Sequence, residues 1–155
     1  MTSGKVVGIY IAHQRGEPTI VVDQAHAVPG MGIEGDRYFG RNDIPSSHGR
    51  PAREITLIEM EAIESMREAD GIQITPDQTR RNIITHGIAL NDLVDQLFCV
   101  GNVQLHGVRL CEPCQYLADR TDPRVLASMS NRGGLRAEII TEGIIHINDK
   151  ITTTA

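Results

Sequence analysis

The chain has 155 residues, 40% hydrophobic and 23% charged, with a formal net charge of −5. That length and balance describe one domain, residues 1–155, with enough apolar side chains for a core, and the acidic excess excludes a general nucleic-acid binder. Aromatic residues make up only 3% and there is no Trp, so the core must be built from Ile, Val and Leu, and bases would find little to stack on.

Three cysteines do not make a secreted disulfide framework, which points to a reducing compartment, the cytoplasm. The N-terminus lacks the apolar region of a signal peptide, and no apolar run approaches the ~20 residues that span a bilayer, so no membrane association is expected.

Residues 5–12 are rich in β-branched side chains and predict a strand. The Q-R-G-E-P turn at 14–18 and a second strand at 19–23 complete an opening hairpin. Residues 27–40 carry four glycines without a period; they do not open a helix and lack a G-K-[ST] ending, so a phosphate-binding P-loop is excluded. Residues 42–53 continue as a polar connection. A short strand at 54–58 precedes the best helix of the chain, 59–69, with Met60, Ile63 and Met66 on one side and Gly71 as its stop. Pro76-Asp77 begins a turn; residues 82–85 are predicted extended, and Asn91 caps a short helical turn through 96. Strands at 98–100 and 103–110 are joined by Gly101-Asn102, a two-residue hairpin turn. Asp122-Pro123 opens a helix through 129, and strands follow at 135–141 and 144–147. Many short strands and few helices predict a mainly β fold, a barrel with short helices at its rim.

Chemistry concentrates in R-L-C-E-P-C-Q-Y-L, residues 109–117, where Cys111 and Cys114 form a C-x-x-C. Four readings are open. The pair could be half of a zinc site, although no second C-x-x-C supplies the other half and only Cys99, His86 or His106 could complete it. It could be a redox dithiol, although the βαβ context and a downstream cis-Pro are missing. Either cysteine could be a small buried residue, the reading that suits Cys99 in L-F-C-V-G. Finally, one could be a functional thiolate, a soft metal ligand or sulfur carrier. Cys114 suits that role because Pro113 ends the strand before it, whereas Cys111 can still pack on the strand. Arg37, Arg53, Arg80, Arg81, Arg109, Arg132 and Arg136 mostly sit in or beside glycine-rich loops, where guanidinium forks could form an anion pocket or simply pair with nearby acids. No H-x-x-x-H or H-x-H pair supports a histidine metal site, and no G-x-S-x-G supports a serine hydrolase.

Over residues 6–150 the chain resembles the MOSC domain family, named for the C-terminal domain of molybdenum cofactor sulfurases, in its small stand-alone bacterial form. The resemblance rests on G-I-E-G-D-R at 32–37, R-E-I-T-L-I at 53–58, R-R-N-I-I at 80–84, the turn at Gly101, C-E-P-C at 111–114 and R-G-G-L-R-A-E-I at 132–139, in that order. It implies a β-barrel and a site at Cys114, which matches the family's near-invariant cysteine. Where molybdenum cofactor (molybdopterin) is bound, that cysteine is the thiolate ligand to the metal. The Arg and Asn of the R-x-N segment, here Arg81 and Asn82, then lie near the pterin with Arg37 in the same pocket. Reduction of N-hydroxylated compounds is one implied activity. Carriage of sulfur as a Cys114 persulfide for metal–sulfur assembly is a second, and a non-enzymatic binding domain a third. Set against that resemblance, neither the pyridoxal-phosphate desulfurase domain of the sulfurases nor the extra N-terminal barrel of the larger reductases is expected here. The implied partners are therefore a cysteine desulfurase or an electron-donor protein.

Overall fold

The computed structural model describes residues 3–40 and 54–153. The predicted polar connection at 42–53, with Arg53, lies outside them. The described strands are β1 (Ser3–Ile11), β2 (Ile20–Val21), β3 (Gln24–Val28), β4 (Gly32–Ile33), β5 (Ile55–Glu59), β6 (Ile83–His86), β7 (Leu97–Val100), β8 (Val103–Leu110), β9 (Leu135–Ile139), β10 (Gly143–His146) and β11 (Lys150–Thr153). The helices are α1 (Met60–Ala69), α2 (Gln115–Arg120) and α3 (Val125–Ser128).

Seven strands pair in the order β11-β7-β8-β9-β5-β6-β1, and β1 pairs back to β11 through Ser3 to Thr152 and Lys5 to Lys150, which closes a barrel. Closure leaves no edge among these strands for another chain to extend. All pairs are antiparallel except β5–β6, which α1 bridges as a crossover. The mainly β barrel with short helices agrees with the sequence reading.

Strand alternation sorts the apolar side chains into two cores. Leu57, Ile83, Phe98, Leu105 and Ile151 pack inside the barrel. Their neighbours Ile58 and Ile84 point the other way and pack under α1. Helix α1 buries Ala62, Ile63 and Met66 there, while Met60 packs only at the margin. Asp70 ends the helix, and Gly71, at φ 67°, turns the chain away, as expected of a C′ glycine.

Three details differ from the sequence reading. The predicted aperiodic stretch 27–40 overlaps β3 and contains β4, which with β10 form a separate three-stranded sheet. Asn91 does not cap the turn at Leu90–Leu93; Ala89 precedes it, and the Asn91 side chain donates to the Asn131 carbonyl at 2.7 Å. The predicted helix from Asp122 is shorter, because Asp122 accepts from the Arg124 backbone at 2.9 Å and holds a turn ahead of α3.

The small sheet is pinned at its surface by His26, whose ring nitrogens meet Glu142 at 2.7 Å and Glu34 at 3.2 Å. Those contacts, Glu142 first, hold the His26 pKa above its ordinary value. A raised folded pKa adds stability that is complete below the unfolded value of about 6.5 and is lost as pH rises through the folded value. Wild-type melting temperature should therefore fall between mildly acidic and mildly alkaline pH, and His26→Gln should flatten that slope. An unchanged slope in the variant would remove His26 as its source.

Candidate functional site

The C-terminal ends of β1 and β8 and the N-terminal starts of β6 and β9 meet at one rim of the barrel, because antiparallel neighbours exchange ends. The segment that leaves β8 carries Cys111 and Cys114 and enters α2 directly. Cys111 is 2% exposed, and Cys114 is exposed. Cys114 has extended backbone angles, φ −130° and ψ 169°. Among the described residues no backbone bond closes a turn from Cys111 to Cys114; the Cys111 carbonyl accepts from Arg81 instead. The C-x-x-C is thus an extended strap, which differs from the turn expected after Pro113.

Two glycines let this strap pack. A side chain at Gly133 would run into the Cys111 carbonyl, and one at Gly134 into the Leu57 carbonyl; Gly134 also has φ 111°. The Cys111 N–H donates to the Gly134 carbonyl at 2.7 Å. R-G-G-L-R is therefore a docking segment for the cysteine strap, a role that explains its two adjacent glycines.

A cleft of about 520 Å³ opens beside the strap. Cys111 and Cys114 both line it, with Arg15, Arg37, Arg80, Arg81, Arg120 and Arg136; Glu112 is the one acid among the described lining residues. The described structure thus brings Arg37, Arg81 and Cys114 together. Arg81 is buried and spends its guanidinium on main-chain carbonyls, from Nε to Gly133 at 2.8 Å, Nη2 to Cys111 at 3.1 Å and Nη1 to Thr79 at 3.2 Å. Arg37 donates from Nη1 to Asp36 at 3.1 Å and from Nη2 to the Arg80 carbonyl at 3.1 Å. Its side chain is 6% exposed, yet its buried Nε has no partner among the described residues.

Asn82 stands behind the cleft wall. Its Oδ1 accepts from the Thr56 N–H at 3.1 Å and the Thr56 hydroxyl at 3.2 Å, and its Nδ2 donates to the Tyr10 carbonyl at 3.1 Å. It ties β5 to β1 beside Thr56, which lines the cleft. Asn82→Ala should cost about 1–3 kcal/mol, because it takes the partners from a part-buried N–H and a part-buried carbonyl. Urea unfolding measures this, and loss of ligand binding at unchanged stability would instead give Asn82 a direct role at the ligand.

Arg132 faces away from the cleft and binds Asp70 at 2.7 Å and Ser65 at 2.9 Å; Arg109 is exposed on β8 and does not line the cleft. Arg15, Arg120 and Tyr116 were not singled out in the sequence. Arg120 stacks on the Tyr116 ring at 3.8 Å and Arg80 at 5.6 Å, and the i, i+4 spacing of Tyr116 and Arg120 on a short helix was the available signal. Burial first, and then the charge of Arg37, holds the Arg80 pKa below its ordinary value. Cys99, half-buried on β7 opposite Gln104 and Thr152, takes no part in the cleft. His106 pairs with Glu138 at 3.0 Å. Among the described residues no group of three or more His, Cys, Asp or Glu side chains is placed to hold a metal ion. Among the described residues no helix is long and apolar enough to cross a membrane.

A closed seven-strand barrel with an exposed thiol in an arginine-lined cleft at its rim defines the class. The chain belongs to the MOSC domain family, whose model matches residues 45–152. In fold it is similar to YuaD protein from Bacillus subtilis, with a TM-score of 0.81 and 19% identity over 96% of this chain and 94% of that one. It is also similar to YiiM from Geobacillus stearothermophilus, with a TM-score of 0.75 and 13% identity over 98% of this chain and 75% of that one. YiiM from Escherichia coli gives a TM-score of 0.67 and 19% identity over 97% and 70%. A comparison with curated protein sequences gives no match.

Proposed function

We propose that this MOSC domain binds molybdenum cofactor in the rim cleft, with Cys114 as the thiolate ligand. One observation carries the reading: the exposed thiol shares a cleft with six arginines. The donor set fits the group. A sulfur ligand suits a soft metal centre, and guanidinium forks suit a phosphate. The unpartnered Nε of Arg37, buried at the cleft wall, fits the same anionic occupant. Arg37, Arg80 and Arg120 would hold the anionic end, and Arg81 would keep the strap in place beneath Cys114. When bound, the cofactor supplies the two-electron reduction of N-hydroxylated compounds that the family resemblance implies. An electron-donor protein is then the partner.

Sulfur carriage on Cys114 is the second reading, supported by the exposure of this thiol at the rim, where a persulfide could be passed to another protein. A cysteine desulfurase would be its partner. Metal and sulfane-sulfur analysis of freshly purified protein separates the two. Near-stoichiometric molybdenum is expected under the first reading, labile sulfur without metal under the second. Absence of both after expression with an ample cofactor supply would leave a non-enzymatic binding domain.

A further inference from the structure

Three arginines of the cleft rest on neutral partners among the described residues. Arg80 donates to the neutral Glu17 carbonyl at 2.8 Å, Arg81 to three neutral carbonyls, and Arg120 rests on the Tyr116 ring. None of these three has a carboxylate partner among the described residues. Arg37 does have one, Asp36, but its Nε is without an acceptor among the described residues. Like charges held this close favour a small, multiply charged anion with several acceptor oxygens. The one exposed thiol of the C-x-x-C lies in the same cleft, and thiolates attack sulfur as readily as they bind metals.

We propose that Cys114 takes sulfane sulfur directly from a small thio-oxyanion, thiosulfate being the simplest, held by its oxygens on Arg37, Arg80 and Arg120. This rests on the sulfur-carriage reading and replaces a protein donor with a small molecule. The Cys114 thiol first loses its proton to solvent. The thiolate attacks the outer sulfur of thiosulfate, a new S–S bond forms, and the S–S bond of the donor breaks with its electron pair leaving on sulfite. Thiolate and thiosulfate become Cys114 persulfide and sulfite, with no added oxidant or reductant. A nucleophilic acceptor such as cyanide then removes the outer sulfur as thiocyanate and restores the thiolate. Cys111 is too buried to compete for the donor.

The test uses the full chain, metal-free, with thiosulfate in one arm and polysulfide, which carries sulfane sulfur but no oxyanion group, in the other. Sulfite release, thiocyanate formation with cyanide, and mass-spectrometric mapping of the persulfide are the readouts. The expected result is one sulfite per Cys114 persulfide, with sulfate competing. Arg120→Ala, a change at an exposed side chain, should raise the thiosulfate concentration for half-maximal rate by about tenfold, the loss typical of one charge-assisted bond, and slow polysulfide loading far less. Arg15→Ala at the cleft edge should act in the same direction and more weakly. Loading by polysulfide alone would overturn the proposal and leave sulfur carriage standing. Failure of both donors would overturn both. Equal slowing of the two donors by Arg120→Ala would also overturn it, since a general field would then replace an oxyanion site.

Discussion

Cys114→Ser is expected to reduce bound molybdenum or sulfane sulfur to background while the barrel keeps its stability to within about 0.5 kcal/mol, the usual range for an exposed position. The serine hydroxyl is a hard, neutral donor and cannot stand in for a thiolate toward a soft metal or a sulfane donor. The side chain makes no capping bond to α2 in the described structure, so its exchange removes no structural contact of that kind. Cys111→Ser should behave oppositely. Its thiol is buried at the end of β8, and a hydroxyl left without a partner there costs about 1–3 kcal/mol. Binding should survive in that variant wherever the protein is folded. Alkylation at neutral pH with peptide mapping gives a second check, with Cys114 labelled first and Cys111 only as the protein opens. Equal labelling, with binding lost in both variants, would favour a dithiol pair. The extended strap argues against such a pair, because its Cys111 carbonyl is committed to Arg81 rather than to a turn.

Much of the barrel could be read from short patterns. The opening hairpin pairs Tyr10 with Val21 as its loop suggested, and Gly101-Asn102 joins β7 to β8 with Val100 opposite Val103. Helix α1 was legible from its acidic and apolar faces. Strand β11, which closes the barrel, was not. K-I-T-T offers one buried residue, Ile151, and its strand character comes from pairing with β1 and β7 rather than from its own composition. Strand β4 was hidden for a similar reason: two residues, one of them glycine, carry no period. At the site, the types of residue were visible but their duties were not. Arg37 and Arg81 read alike in the sequence, yet one keeps a buried Nε without a partner among the described residues and the other is bonded to backbone on three sides. Arg132 shows the opposite limit: the same R-G-G segment that docks the strap starts with an arginine that serves α1 and α3. Side-chain partners far apart in the chain decide such cases, and no local pattern records them.

Arg81→Met should give the largest loss of stability among the cleft arginines, about 3–5 kcal/mol, because it removes three charge-assisted bonds to main-chain carbonyls at once. Methionine fills much of the stem volume but leaves the carbonyls of Thr79, Cys111 and Gly133 without their donors. The bonds join three segments that are distant in sequence: the approach to β6, the cysteine strap and the glycine segment ahead of β9. Losing them frees the strap as well as weakening the barrel. Binding at Cys114 should therefore fall even at temperatures where Arg81→Met remains folded, and limited proteolysis should cut first within residues 111–114. Arg81→Lys keeps the charge but offers one nitrogen where three carbonyls converge from different directions, so it should recover only a small part of the stability. Urea unfolding of wild type and both variants, read beside metal or sulfane content, decides the matter. If Arg81→Met unfolds like wild type and loses only its ligand, Arg81 acts on the ligand and the three carbonyl bonds contribute little. If Arg81→Lys restores both stability and binding, a point charge suffices and the fork geometry is not what holds the strap.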